Sequence, residues 1–214
     1  MELGRNFKLY NTPVKPWEEG RWNWTTFDPQ SLGRGSTIKR LNNVSRETAE
    51  TLADVWAKGF PELYRGTFGF LLEPEWYGNL PMEGHEVFAL ETSEGHIAGS
   101  ALLRTDSLNL SVDFTLGVVH PDFRGRLSAT TATKILDRYA EESGAELATV
   151  SVARFHTVTL KLFHKLGFRS VGILPGAIRA NVDGIYYRRD SVELLYKLYR
   201  DAYRLVPPLE SEEK

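Results

Sequence analysis

Between Leu116 and Thr131 the chain reads LGVVHPDFRGRLSATT, a stretch whose residue types suit the binding of an anion. Leu116, Val118 and Val119 have the make-up of a strand, and Pro121 ends its ladder. Gly125, with the small Ser128 and Ala129, lets backbone amides come close to a bound group. The helix that follows presents unpaired amides and the positive end of its dipole, which together favour phosphate. Eleven residues ahead of Arg124 stands Asp113, an acid in the middle of an apolar alternating run. Strict alternation sets Asp113, Thr115 and Gly117 on one side of that strand and Phe114, Leu116 and Val118 on the other. A carboxylate there is costly to bury unpartnered, so Asp113 faces a cleft, pairs with an arginine, or reaches solvent at an edge. Glu91, Glu86 and Glu73 are weaker choices for the same proton-transfer chemistry. His120 has no second histidine or carboxylate four residues on, hence no metal-site spacing, and reads as a solvent-facing residue at a strand end.

The elements that must hold these residues follow from periodicity and turn chemistry. Residues 1–36 mix Trp17, Trp22, Trp24 and Phe27 with prolines and glycines, and read as an aromatic arm packed on the domain or on a second subunit. Residues 37–204 form the domain proper, and residues 205–214 a frayed tail. Within the domain, residues 37–41 read as a strand and residues 45–60 as a helix capped by Ser45. A short helix and an aromatic loop fill residues 61–81, where Trp76 and Tyr77 have the better claim to a binding site and Trp56, on the preceding helix, reads as core. A hairpin over 85–92 and 96–105 leads into a third strand at 110–119. A helix over 128–143, a strand over 146–152, a helix over 156–166 and strands over 171–178 and 191–199 complete the order.

The second half of the pattern, VSVARFHTVTLKLFHKLGFRSVG from Val150, supplies a strand, an amphipathic helix ended by Leu166-Gly167-Phe168, and another strand. Together the two stretches resemble the GNAT superfamily of acyl-CoA-dependent N-acyltransferases. Its V-x-P-x-x-R-G-x-G-x-G/A motif is followed, one helix and one strand later, by N-x-x-A-x-x-x-Y-x-x-L-G-F. The resemblance spans roughly residues 37–200 and lies in the order and separation of the motifs. It implies an α/β (α+β) GNAT fold, a mixed central sheet of about seven strands flanked by four helices.

It further implies that acetyl-CoA or another acyl-CoA is the co-substrate, with the pyrophosphate held by Arg124, Gly125, Arg126, Leu127, Ser128, Ala129 and Thr130. Val118 and Val119 would pair with the pantetheine arm as an added strand would. Asp113 falls where some members carry a catalytic glutamate, which makes it the candidate base. Three positions depart from the pattern. Leu127 replaces a common glycine and would add bulk beside the phosphates; His156 replaces the pantetheine-binding asparagine, as a surface residue or as a donor with a catalytic part; Phe163 replaces the tyrosine that protonates the leaving thiolate. The resulting expectation is transfer of an acyl group to a primary amine by direct attack. The alternative, supported by Phe163 and His156, is a non-catalytic acyl-CoA-binding regulator.

Composition bounds the rest. At 214 residues with 42% hydrophobic content the chain can bury one core. A net charge of -2 gives no footprint for wrapping nucleic acid or coating an anionic membrane. The absence of cysteine removes disulfides, thiolate nucleophiles and cysteine-ligated metals. No window approaches the ~20 apolar residues of a membrane span. The expectation is a soluble cytoplasmic protein, able to form a homodimer, with no metal.

Overall fold

The computed structural model describes residues 27–60, 68–182 and 185–199. Its strands are β1 (Gln30–Gly33), β2 (Ser36–Arg40), β3 (His85–Glu91), β4 (Ile97–Asp106), β5 (Ser111–Val119), β6 (Leu147–Ala153), β7 (Arg169–Val182) and β8 (Ile185–Leu198). Its helices are α1 (Arg46–Gly59), the single-turn α2 (Pro74–Tyr77), α3 (Ala129–Glu142) and α4 (Thr157–Lys165). The strands form one sheet in the order β1-β2-β3-β4-β5-β6-β8-β7. Every neighbouring pair is antiparallel except β5 and β6, which are parallel because α3 carries the chain across.

The sheet therefore has eight strands where about seven were expected from the sequence. The extra one, β1, lies in the segment read as arm and pairs with β2 across the Gly33-Arg34-Gly35 turn. Four residues are too few to show a period. The last two strands are also longer than their apolar patterns, at 14 residues each. Residues 1–26 of the arm and the C-terminal tail lie outside the described residues.

Helices cover both faces. Leu136, Tyr139 and Ala140 of α3 and Phe163 of α4 join Phe88, Leu103, Val112, Phe114, Val150 and Leu195 in one core. On the other face Leu52, Val55 and Trp56 of α1 and Tyr77 of α2 pack on Val87, Leu102 and Val118. The helix starts follow from local chemistry: Ser45 accepts from the Thr48 amide and Ser128 from the Thr131 amide, each replacing a missing intrahelical partner. Core placement bears out the core reading of Trp56 but moves Tyr77, which is fully buried with its hydroxyl donating to the Leu71 carbonyl at 2.7 Å. Tyr77 is thus core and not a binding-site loop residue.

One irregularity decides the functional face. Leu102 pairs with Leu116 and Leu103 with Phe114, so Thr115 is an extra residue in β5. Strict alternation fails there. Val112 and Phe114 point into the α3/α4 core, whereas Leu116 and Val118 point to the α1 side. Asp113, opposite in parity to Phe114, faces the α1 side with Val118.

Candidate active site

The parallel pair β5 and β6 is joined only at Ser111↔Leu147, Val112↔Ala148 and Asp113↔Thr149. Beyond these residues the two strands carry no mutual ladder among the described residues, so Phe114 to Val119 and Val150 to Ala153 line the two sides of a wedge. Asp113 and Thr149 close it at the narrow end. Open strand edges on both sides are unsatisfied donors and acceptors, a ready partner for an extended amide-bearing arm.

At the wide end β5 runs into the basic turn. The His120 amide donates to the Ala98 carbonyl, a single turn of 3-10 helix spans Pro121–Phe123, and Gly125 takes a φ of +81°. Among the described residues, the amides of Gly125, Leu127, Ser128, Ala129 and Thr130 have no acceptor, and a Cβ at Gly125 would meet nothing within 4 Å. Free amides in open space at a helix start make the anion site that the residue types imply.

The side chains of this turn do different work from what the sequence suggests. Leu127 is turned into the α3 core, so its bulk does not stand beside the anion site and only its amide remains there. The Ser128 hydroxyl caps α3 and meets the Thr131 hydroxyl at 2.7 Å. Arg124 donates to the Gly59 carbonyl at 3.2 Å, where the negative end of α1 favours a cation. Arg126 lies over the Phe123 ring at 5.9 Å. His120 is buried, not solvent-facing: its Nδ1 accepts from the Asp122 amide, and its Nε2 lies 4.0 Å from Asp54 of α1.

Gly59 is the residue sequence reasoning missed here. Its Cα abuts Val118, and a Cβ would also come within 3.2 Å of the Val119 carbonyl oxygen. Only glycine lets α1 end against the strand that borders the wedge. The next residue, Phe60, stands 6.4 Å ring to ring from His156, whose ring lies tilted against Phe155 at 4.2 Å. His156 is exposed at the N-cap position of α4 without capping it, on the rim between α1 and α4.

Asp113 is half-buried at the apex, and among the described residues no arginine holds it. Thr115 donates to one carboxylate oxygen at 2.7 Å and Thr149 to the other at 2.9 Å. Two hydroxyls fix the carboxylate's orientation and leave it lone pairs to spare. Thr149 was also missed. Polar residues at alternate positions, Thr149 and Ser151, in an otherwise apolar strand were the available signal. Phe163, expected along the donor groove, is core: its ring packs edge-on against Phe114 at 5.7 Å and Phe168 at 5.0 Å. Among the described residues no group of three or more His, Cys, Asp or Glu could hold a metal, and no helix is long and apolar enough to cross a membrane.

No family model matches the sequence, and no curated protein does. Solved structures do match. Ribosomal-protein-S5-alanine acetyltransferase from Vibrio fischeri superposes with a TM-score of 0.64 at 12% identity, covering 82% of this chain and 98% of that one. The dodecameric spermidine N-acetyltransferase from Vibrio cholerae gives 0.62 at 17% identity, with coverages of 79% and 96%. Mutant forms of the spermidine/spermine N-acetyltransferase SpeG from Vibrio cholerae give 0.61 at 16%, with 80% and 99%. The chain has the GNAT fold. The structural likeness spans nearly the whole length of the three solved chains.

Proposed function

We propose that this protein is an N-acyltransferase that moves an acetyl or other acyl group from acyl-CoA to a primary amine. The observation that carries the reading is the wedge itself: free amides at its wide end, open strand edges along its sides and a hydroxyl-held carboxylate at its apex. The pyrophosphate would sit on the amides of residues 125 and 127–130, and the pantetheine between β5 and β6. Open space in front of Gly125 accommodates such a group.

In the reaction the amine nitrogen forms a bond to the thioester carbonyl carbon, the C–S bond breaks, and its electron pair leaves on the sulfur of coenzyme A. Asp113 takes the proton from the amine, directly or through one water. Backbone groups along the open β5 edge between Asp113 and Val119 polarise the carbonyl, the pantetheine running past Val118 and Val119. Phe163, at the motif position of the thiolate-protonating tyrosine, is buried and carries no hydroxyl. A thiol pKa of about 8.5 makes the thiolate a tolerable leaving group near neutral pH without a proton donor. Direct attack in a ternary complex is the route, because the chain has no cysteine to carry an acyl intermediate. The reading keeps the expectations of a cytoplasmic location and of a homodimer; a dodecameric structure of like fold supports self-association.

Calorimetry with acetyl-CoA, free coenzyme A and a longer acyl-CoA, followed by amine-dependent thiol release, tests this. Micromolar binding with thiol release is the expected result. Binding without release under any amine would favour the regulatory alternative, and absence of binding would remove the donor assignment.

A further inference from the structure

Six residues from six strands stand in one register row across the sheet: His85 pairs with Arg104, Arg104 with Asp113, Asp113 with Thr149, Thr149 with Tyr196, and Tyr196 with Arg169. Directly paired residues project to the same face. That face is the α1 side, since Val87 and Leu102, two residues from His85 and Arg104, lie in the α1 core, and Phe114, Val150 and Leu195, one residue away from the row, lie in the other. The α1 core stops short of this row. Arg104 and Arg169 are exposed, and Asp113, Thr149 and Tyr196 are half-buried. His85 closes one end against Trp76 at 6.0 Å and Phe70 at 6.3 Å.

The centre of the row is unusual in its charges. Arg104 and Asp113 are cross-strand partners of opposite sign, which ordinarily attract and pair. Here both Asp113 oxygens are taken up by Thr115 and Thr149, and among the described residues the Arg104 guanidinium has no hydrogen-bond or ion-pair partner. A cation and an oriented anion thus stand on paired residues without closing on one another among the described residues, at the apex where the amine must arrive. Such a pair matches a zwitterion. An ammonium group meets the spare lone pairs of Asp113, and the planar guanidinium offers a carboxylate its fork of donors.

We infer that the acceptor is a free amino acid, bound with its α-ammonium at Asp113 and its α-carboxylate at Arg104. The inference rests on the acyltransferase reading and narrows it. A lysine side chain in a protein, a protein amino terminus and a polyamine all lack a carboxylate beside the reacting amine. Arg104 is then a specificity residue that touches substrate, and Tyr196 and Trp76 border the space left for the amino acid side chain.

The test compares thiol release from acetyl-CoA with common amino acids against their decarboxylated amines, phenylalanine with phenethylamine and lysine with cadaverine among them. The expected result is a kcat/KM at least about tenfold higher for an amino acid than for its amine, the scale of one charge-assisted hydrogen bond. Arg104→Gln, at an exposed position that folding tolerates, should erase that preference by raising KM for the amino acid while leaving KM for the amine and acetyl-CoA affinity unchanged. Preference for the amines, or a preference that survives Arg104→Gln, overturns the inference. So does failure of every amino acid in a protein that binds acetyl-CoA, an outcome that leaves the donor reading standing. Failure to bind acetyl-CoA removes the donor reading and the inference with it.

Discussion

Two acids in neighbouring parts of the meander have opposite surroundings. Glu86 on β3 is 2% exposed, lies 2.9 Å from Arg40 and accepts from the Tyr139 hydroxyl at 2.8 Å, on the α3 face. Asp113 on β5 is half-buried on the α1 face and held by neutral hydroxyls. Burial pushes the Glu86 carboxyl up to about 7, against the pull of Arg40 and the Tyr139 bond. An acid enclosed with its counter-ion locks a helix to a sheet. One oriented by hydroxyls at the end of an open wedge is left able to meet a substrate. Glu86, a weaker choice for the base on sequence grounds, is thereby removed from it: it joins α3 to β2 and β3 behind the sheet.

The sharpest way to break this contrast is Asp113→Asn. Acyl transfer should fall by roughly 10²–10⁴-fold in kcat, the usual range for a positioned base, with acetyl-CoA affinity and Tm nearly unchanged. Unchanged turnover would return Asp113 to a purely structural role. Glu86→Ala should do the reverse. Losing the Arg40 and Tyr139 contacts to this buried carboxyl should cost about 1–3 kcal/mol in denaturant unfolding, with residual activity per folded molecule preserved. The raised carboxyl also makes a pH signature. Between about pH 4.5 and 7 the folded protein holds a proton at Glu86 that the unfolded chain releases, so stability from this group falls as pH rises across that window and is level above it. Glu86→Gln should flatten that slope in urea titrations run at several pH values.

Smaller effects refine the wedge. Gly125→Val forces a side chain onto a φ of +81°, costing about 1–2 kcal/mol, and should weaken acetyl-CoA binding by about tenfold. Full affinity in that variant would detach the turn from donor binding. Thr149→Val keeps shape and removes one hydroxyl from Asp113, so kcat should drop severalfold, by about 1 kcal/mol or less, with KM for acetyl-CoA unmoved.

Much of the scaffold was legible because it is local. Ser45 and Ser128 announce helix starts, Gly144 and Gly167 follow helix ends, and the α1 and α3 apolar stripes have a 3.6-residue period. The Thr115 bulge was not legible, because an extra residue in one strand is defined only by the pairing of its neighbour. For the same reason Leu127 and Phe163 were placed in the donor site by motif position, whereas packing turns both into the core. A motif specifies backbone path more firmly than side-chain direction.

The sequence by itself determined the order of elements, the basic turn with its glycine, and the acid on the strand leading to it, since these depend on propensities and spacings within a few residues. Tertiary structure alone decided that β5 and β6 part after Asp113 and Thr149, that two threonines hold Asp113, and that Arg104 stands beside it without a partner among the described residues. Those are contacts between strands far apart in the chain, set by register and by which face each side chain meets. No local pattern encodes a register until the partner strand is in place.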